Sequence, residues 1–273
     1  MLRMESESGW WLITHPDHAH LAGDFAEAWG NAEFRKPEPR ARVLKGISCH
    51  DDGWAARDLH PTITRQGRPS AFSIELVGKY SAFEEIDLNE YLAVRDRAVR
   101  IIAEEDPYAG LLISMHTHNL LSERADRSTI RAEDLPWLDA FLVEQLTLQR
   151  ALREQLLAEG RLTAEHLTPE SLLRYFRLLQ ACDNLSLLSC VDYGDEATLL
   201  HPLALRDGGT SEVRVRHVGL RRFRLTPYPF AEPKMTFKLR ARFVPGKSFA
   251  SNDELKLRLE EAKMEEIAVS VTA

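Results

Sequence analysis

Met235-Thr236-Phe237-Lys238-Leu239-Arg240-Ala241-Arg242-Phe243-Val244 reads with a period of two. Met235, Phe237, Leu239, Ala241 and Phe243 fall on one side, and Lys238, Arg240 and Arg242 on the other. Successive side chains of a strand point to opposite faces, so the pattern predicts a strand half in the core and half in water. Glu212–Val218 repeats it, with Val213 and Val215 set against Arg214 and Arg216. Asp207-Gly208-Gly209 predicts a hairpin turn. Ser251-Asn252-Asp253 predicts the cap of a short helix to about Lys263, and Ile267, Val269 and Val271 a last strand. An antiparallel sheet is therefore expected over residues 195–273.

Upstream, to about Gly194, the period lengthens to that of a helix. His18, Ala22, Phe25 and Trp29 make one stripe, on a helix opened by Pro16-Asp17 and closed by Gly30. A second helix is predicted from about Arg40 to His50, with Val43 and Ile47 inward. Residues 55–86, with Pro61, Gly67, Pro69 and Gly78, predict a long loop with short elements. Asp87 and Glu90 form a capping box for a third helix that ends near Glu104. Asp106-Pro107 starts a fourth, Glu133 to Glu159 forms a fifth, and Thr168-Pro169-Glu170 starts a sixth that runs through Asp183 to about Val191. Trp10-Trp11-Leu12-Ile13 reads as a buried strand rather than a membrane anchor. The expected class is α+β: a helical domain over residues 1–194 and a β extension over 195–273 packed on it.

The chain's 273 residues are 44% hydrophobic and carry 35 Lys+Arg against 42 Asp+Glu, a net charge of −7. Such a composition supports a packed core and excludes disorder as the main state. No apolar run approaches the roughly 20 residues that span a bilayer. The acidic start, Met1-Leu2-Arg3-Met4-Glu5-Ser6-Glu7, is unlike a signal peptide, so a cytoplasmic location is expected. Cys49, Cys182 and Cys190 form no CxxC pair and read as small core residues in a reducing compartment. Residues 212–242 hold seven arginines and two lysines against two glutamates, a local charge of +7. Their clean alternation predicts the wet face of a sheet, without the aromatic interleaving of a nucleic-acid platform. No GxGxxG, Walker loop, GxSxG or HExxH motif occurs.

Four helices each set a potential metal ligand on an apolar face. These are His18, the adjacent pair His50-Asp51, His116 (beside Ala109, Leu112, Ile113 and Leu120), and Asp183 on the stripe Leu172, Phe176, Leu179. A buried carboxylate is costly unless it is paired or bound to a metal. At 100° per residue, His20 lies about 200° from His18, on a face shared with Asp24 and Glu27, and His118 lies about 200° from His116. His15 precedes the first helix, and its role stays open. Imidazole with carboxylate suits divalent Zn, Fe, Mn, Co or Ni better than Ca.

A His opening one helix, a His-Asp pair ending the next, and a later Asp within Ala181-Cys182-Asp183-Asn184-Leu185-Ser186 resembles the HD-domain superfamily over residues 12–192. The resemblance implies an all-helical fold holding one or two divalent ions (Mn, Fe, Co, Ni, Zn or Mg), often with phosphate-ester hydrolysis. It implies His18, His50, Asp51 and Asp183 as the metal ligands. His116 would then bind a second metal or the substrate phosphate, Asp51 would also orient water, and Asp52 would orient a ligand His. Where common HD phosphohydrolases follow the pair with an apolar residue, Gly and Lys, this chain has Asp52-Gly53-Trp54. Ile13-Thr14-His15-Pro16-Asp17-His18-Ala19-His20-Leu21-Ala22-Gly23, His50-Asp51-Asp52-Gly53-Trp54, Asp106 through Leu112, His116 and Pro227-Tyr228-Pro229-Phe230 resemble domain-of-unknown-function family 3891 over nearly the whole chain. That resemblance implies no activity. The expected function is a metal-dependent phosphohydrolase of a small phosphorylated molecule or nucleotide. An HD-type di-iron oxygenase and a non-catalytic module of the same fold are the alternatives. A small anionic substrate is the expected partner, nucleic acid and membrane are not, and self-association stays open.

Overall fold

The computed structural model describes residues 1–77 and 87–273; the end of the predicted 55–86 loop lies outside them. The chain opens with β1 (Leu2–Ser6) and β2 (Gly9–Ile13). The helices α1 (His15–Ala28), α2 (Arg40–Ser48), α3 (Ala55–Asp58), α4 (Leu88–Glu105), α5 (Pro107–Ser122), α6 (Leu135–Glu159) and α7 (Pro169–Cys190) follow. Then come β3 (Ala197–Thr198), β4 (Leu203–Ala204), β5 (Thr210–Ser211), β6 (Arg214–Gly219), β7 (Arg222–Thr226), β8 (Lys234–Pro245), α8 (Asn252–Glu261) and β9 (Met264–Thr272). The class is α+β. Helix starts follow local chemistry: Asp87, Asp106, Thr168 and Ser251 each accept a backbone N–H of the first turn. The long α6 ends on Gly160, whose φ of 62° is left-handed. The β4–β5 hairpin closes through Gly208 and Gly209, both at positive φ.

The sheet departs from the expected C-terminal antiparallel extension in two ways. Its order is β1-β2-β8-β9-β7-β6-β3, so β1 and β2 from the start of the chain pair onto β8. Its strands are antiparallel except for β7 and β9, which run parallel. The sheet is therefore mixed. Alternation reports which face of a strand is buried, and neighbour and direction are settled by long-range pairing.

The expected alternation holds along β6, β7 and most of β8; at the end of β8 it breaks, with Arg242 and Phe243 both half-buried and Val244 buried against Trp10 and Leu12. Val215, Phe223, Leu225, Phe237, Leu239, Val269 and Val271 are buried, while Arg214, Arg216, Arg222, Arg224 and Lys238 are exposed. The buried face meets α1 and α7: Phe25 of α1 stands edge-on to Phe237 of β8 with ring centroids 4.6 Å apart. The opposite sides of α1 and α7 face α2 and α5, so these two helices separate the sheet from the helical half. Helix α5 is buried on most sides, from Tyr108 to Leu121. Cys182 and Cys190 are buried and Cys49 partly so, all as free thiols. Among the described residues, no helix is long and apolar enough to cross a membrane.

Candidate metal centre

The centre is assembled from helix ends and helix faces. Thr14 caps α1, accepting from the Asp17 N–H at 3.1 Å and donating to Asp17 Oδ2 at 2.6 Å. That start leaves His18 about one turn in, on the side of α1 that meets α7. Helix α2 stops at Ser48, and His50 and Asp51 sit in the turn beyond it. A tight turn over Asp52–Trp54 then runs against α4. Gly53 is required there by close approach: a Cβ on it would lie 2.4 Å from the carbonyl oxygen of Val94. Helix α5 contributes His116, α7 contributes Asp183 and Ser186, and α4 contributes Arg95.

His18, His50, Asp51, His116 and Asp183 converge, and all are buried. His18 Nε2 lies 3.1 Å from Asp51 Oδ2, and His50 Nε2 lies 3.4 Å from Asp183 Oδ1 and 4.0 Å from Asp51 Oδ2. His116 Nε2 lies 3.9 Å from Asp183 Oδ2. The His50 ring stands edge-on to both His18 and His116, at centroid distances of 5.1 and 5.2 Å.

The hydrogen bonds fix which ring nitrogens are free. Ser186 Oγ donates to the backbone carbonyl of Asp183 at 2.8 Å, so it accepts from His18 Nδ1–H at 2.9 Å. His50 Nδ1–H donates to the carbonyl of Ile47 at 2.7 Å. In their neutral forms both rings therefore carry the lone pair on Nε2, turned toward carboxylate oxygens. Among the described residues, His50 Nε2 has no hydrogen-bond partner. Lone pairs facing carboxylates repel unless a cation lies among them. In the ion-free protein a proton can serve. Burial pulls the His50 pKa down, but Asp51 and Asp183 outweigh it and raise it to about 9. Burial works against ionised Asp51, yet Arg95, His50 and His18 hold its pKa well below the usual carboxylate range. Burial works against ionised Asp183 too, and His50 beside it is the main group that holds its pKa down.

The same donors fit a divalent cation. Imidazole nitrogens whose far nitrogen is pinned to a carbonyl or hydroxyl, beside ionised carboxylates, form the usual ligand environment of such an ion. Among the described residues, two overlapping sets meet the requirement: His18 with His50 and Asp51, and His50 with His116 and Asp183. Because Nδ1 of His50 is committed to Ile47, its one free nitrogen serves a single ion. A second ion would have to rely on His116 and the outer oxygen of Asp183. Burial lowers the His116 pKa to about 3, so its ring is neutral, and among the described residues its Nδ1 has no hydrogen-bond partner.

The other sequence-flagged residues lie elsewhere. Burial raises the pKa of Asp52, and among the described residues no hydrogen bond links its carboxyl to a ligand histidine. His15 stacks on Trp54 at 4.5 Å and bonds Asp58. His20 is exposed, and His118 Nδ1 faces Ser122 Oγ at 3.5 Å.

Arg95 and Ser186 were not singled out by the sequence. Arg95 Nη1 bonds Asp51 Oδ1 at 2.5 Å, and its Nε donates to the Tyr91 hydroxyl at 3.2 Å. Its guanidinium lies 5.3 Å from the ring centres of both Trp54 and Tyr91. The available signal was a charge on an apolar stripe: Leu88, Leu92, Arg95, Val99 and Ile102 share the buried side of α4.

No curated protein and no solved structure matches the chain. A family model described as "Protein of unknown function (DUF3891)" matches residues 1–246, and the chain belongs to that family.

Proposed function

We propose that the protein is a divalent-metal hydrolase of phosphate esters, built on an HD-like helical core formed by α1, α2, α4, α5 and α7. The observation that carries this reading is the pair of pinned imidazoles, His18 and His50, whose free Nε2 atoms face Asp51 and Asp183 respectively in a buried cluster. The ion would be held by His18 Nε2, His50 Nε2, an oxygen of Asp51 and an oxygen of Asp183. A bound divalent ion supplies acidified water and polarises a phosphoryl oxygen. The chain's own groups do the positioning. Ser186 and the Ile47 carbonyl hold the two imidazoles in the ligating tautomer. Arg95 occupies Asp51 Oδ1, which leaves Oδ2 turned toward His18. His116, neutral and beside Asp183, is suited to a hydrogen bond with the substrate phosphate.

Metal analysis of protein purified without added metal tests the reading, together with phosphate release from a generic aryl phosphate. About one ion per chain is expected, and about tenfold less in His50→Ala and Asp183→Ala, which also lose phosphate release. Wild-type protein without metal, and with no shift in melting when divalent ions are added, would sink the reading. Normal metal content in the two variants would overturn the ligand assignment.

A further inference from the structure

Arg95 is only 8% exposed, yet its donors are not all used. A guanidinium carries five N–H groups in one plane. Nε is taken by Tyr91 and one edge of Nη1 by Asp51. The rings of Trp54 and Tyr91 flank the group. Among the described residues, no acceptor bonds Nη2. A held guanidinium with an unfilled edge, beside Asp51, is built to receive an oxyanion.

Charge points the same way. Arg95 and Asp51 neutralise each other, and Asp183 adds one negative charge against neutral His116. A divalent ion on these carboxylates turns the cluster net positive, so an anion is the ligand that balances it. Helix geometry also suits the task, because Arg95 comes from α4 while every proposed metal ligand comes from α1, the turn after α2, or α7. The contact of Arg95 with the centre is the bond from Nη1 to Asp51 Oδ1.

We propose that Arg95 is the anion-binding group of this centre, taking a phosphoryl oxygen of the substrate through Nη2 while Asp51 and Tyr91 hold the rest of the guanidinium. The assignment rests on the metal-hydrolase reading and names the charged part of the substrate that the site recognises. Its test is calorimetric binding of inorganic phosphate to metal-loaded wild type, Arg95→Gln and Arg95→Lys, with metal content and melting curves recorded for each. Because Arg95 also positions Asp51, each protein is brought to about one ion per chain with excess metal before phosphate is added. Phosphate binding falls about tenfold in Arg95→Gln and by a smaller factor in Arg95→Lys, which keeps the charge without the planar fork. If folded, metal-loaded Arg95→Gln binds phosphate within about twofold of wild type, the proposal is overturned and the metal reading stands. If Arg95→Gln does not fold, the same unchanged affinity in Arg95→Lys overturns it. If wild type takes up no metal, the reading fails and the proposal goes with it.

Discussion

At the residue scale, the centre is defined by which nitrogen of each histidine is tied down. His50 shows the consequence. Its folded pKa, raised to about 9, exceeds its ordinary value of 6.5 because Asp51 and Asp183 stabilise the imidazolium. A raised pKa contributes stability that is fully present below the unfolded value and is lost as pH climbs through the folded one. The ion-free protein should therefore lose on the order of 3 kcal/mol between pH 6.5 and 9 from this group, read by urea unfolding. A divalent ion must displace that proton to reach Nε2. Metal affinity should then rise about tenfold per pH unit between pH 7 and 9, with about one proton released per ion. Titration calorimetry in buffers of different ionisation enthalpy checks both; affinity independent of pH would mean that His50 is not a ligand. His18, His116 and Asp183 were legible in the sequence because each lies on an apolar helical stripe, where charge and imidazole stand out; His50 and Asp51 were legible as an adjacent pair, although they sit in the turn beyond α2 and not on its face. Ser186 and the Ile47 carbonyl were not, since a hydroxyl or a backbone oxygen carries no such contrast.

At the element scale, the turn after α2 and the α4 helix act as one unit. Gly53 lies so close to α4 that a Cβ would meet Val94 O at 2.4 Å and Ala98 N at 2.8 Å, both backbone atoms. Backbone cannot step aside as a flexible side chain can, so Gly53→Ala must push the turn and α4 apart. Arg95 follows Val94 directly and would be drawn from Asp51. The expected cost is about 1–3 kcal/mol, measured as a lower urea midpoint with an unchanged slope. Metal affinity should fall in the same variant, although Gly53 touches no ligand. A variant as stable as wild type would show that α4 does not brace the turn. The sequence shows His50-Asp51-Asp52-Gly53-Trp54 as a local turn; its second partner lies some forty residues downstream, which no local pattern reports. The same limit explains Arg95. A single charge on the α4 stripe reads as a snorkelling side chain until Asp51 is brought against it.

At the scale of the whole molecule, sheet and centre share α1 and α7. The same helices that cover Phe237, Leu239 and Val269 carry His18, Asp183 and Ser186 on their other sides. The strand most exposed to test is β9. Its alternation at Ile267, Val269 and Val271 was legible, but its insertion between β8 and β7 was not, because that position depends on a crossover through α8 and on parallel pairing with β7. It also lies beyond residues 1–246 of the family match, yet it sits inside the sheet rather than at its edge. A chain ending at Lys263 would leave the ladders of β8 and β7 unpaired and strip cover from Phe237 and Leu239. Because unpaired strand edges and bared apolar side chains favour association, the truncated chain should lose its cooperative melt and aggregate. Metal binding should vanish with it, since α1 and α7 would lose the surface that sets their spacing. If instead the shortened chain melts cooperatively and still takes up metal, β8 and β7 can close on each other, and the helical half holds the centre without the complete sheet.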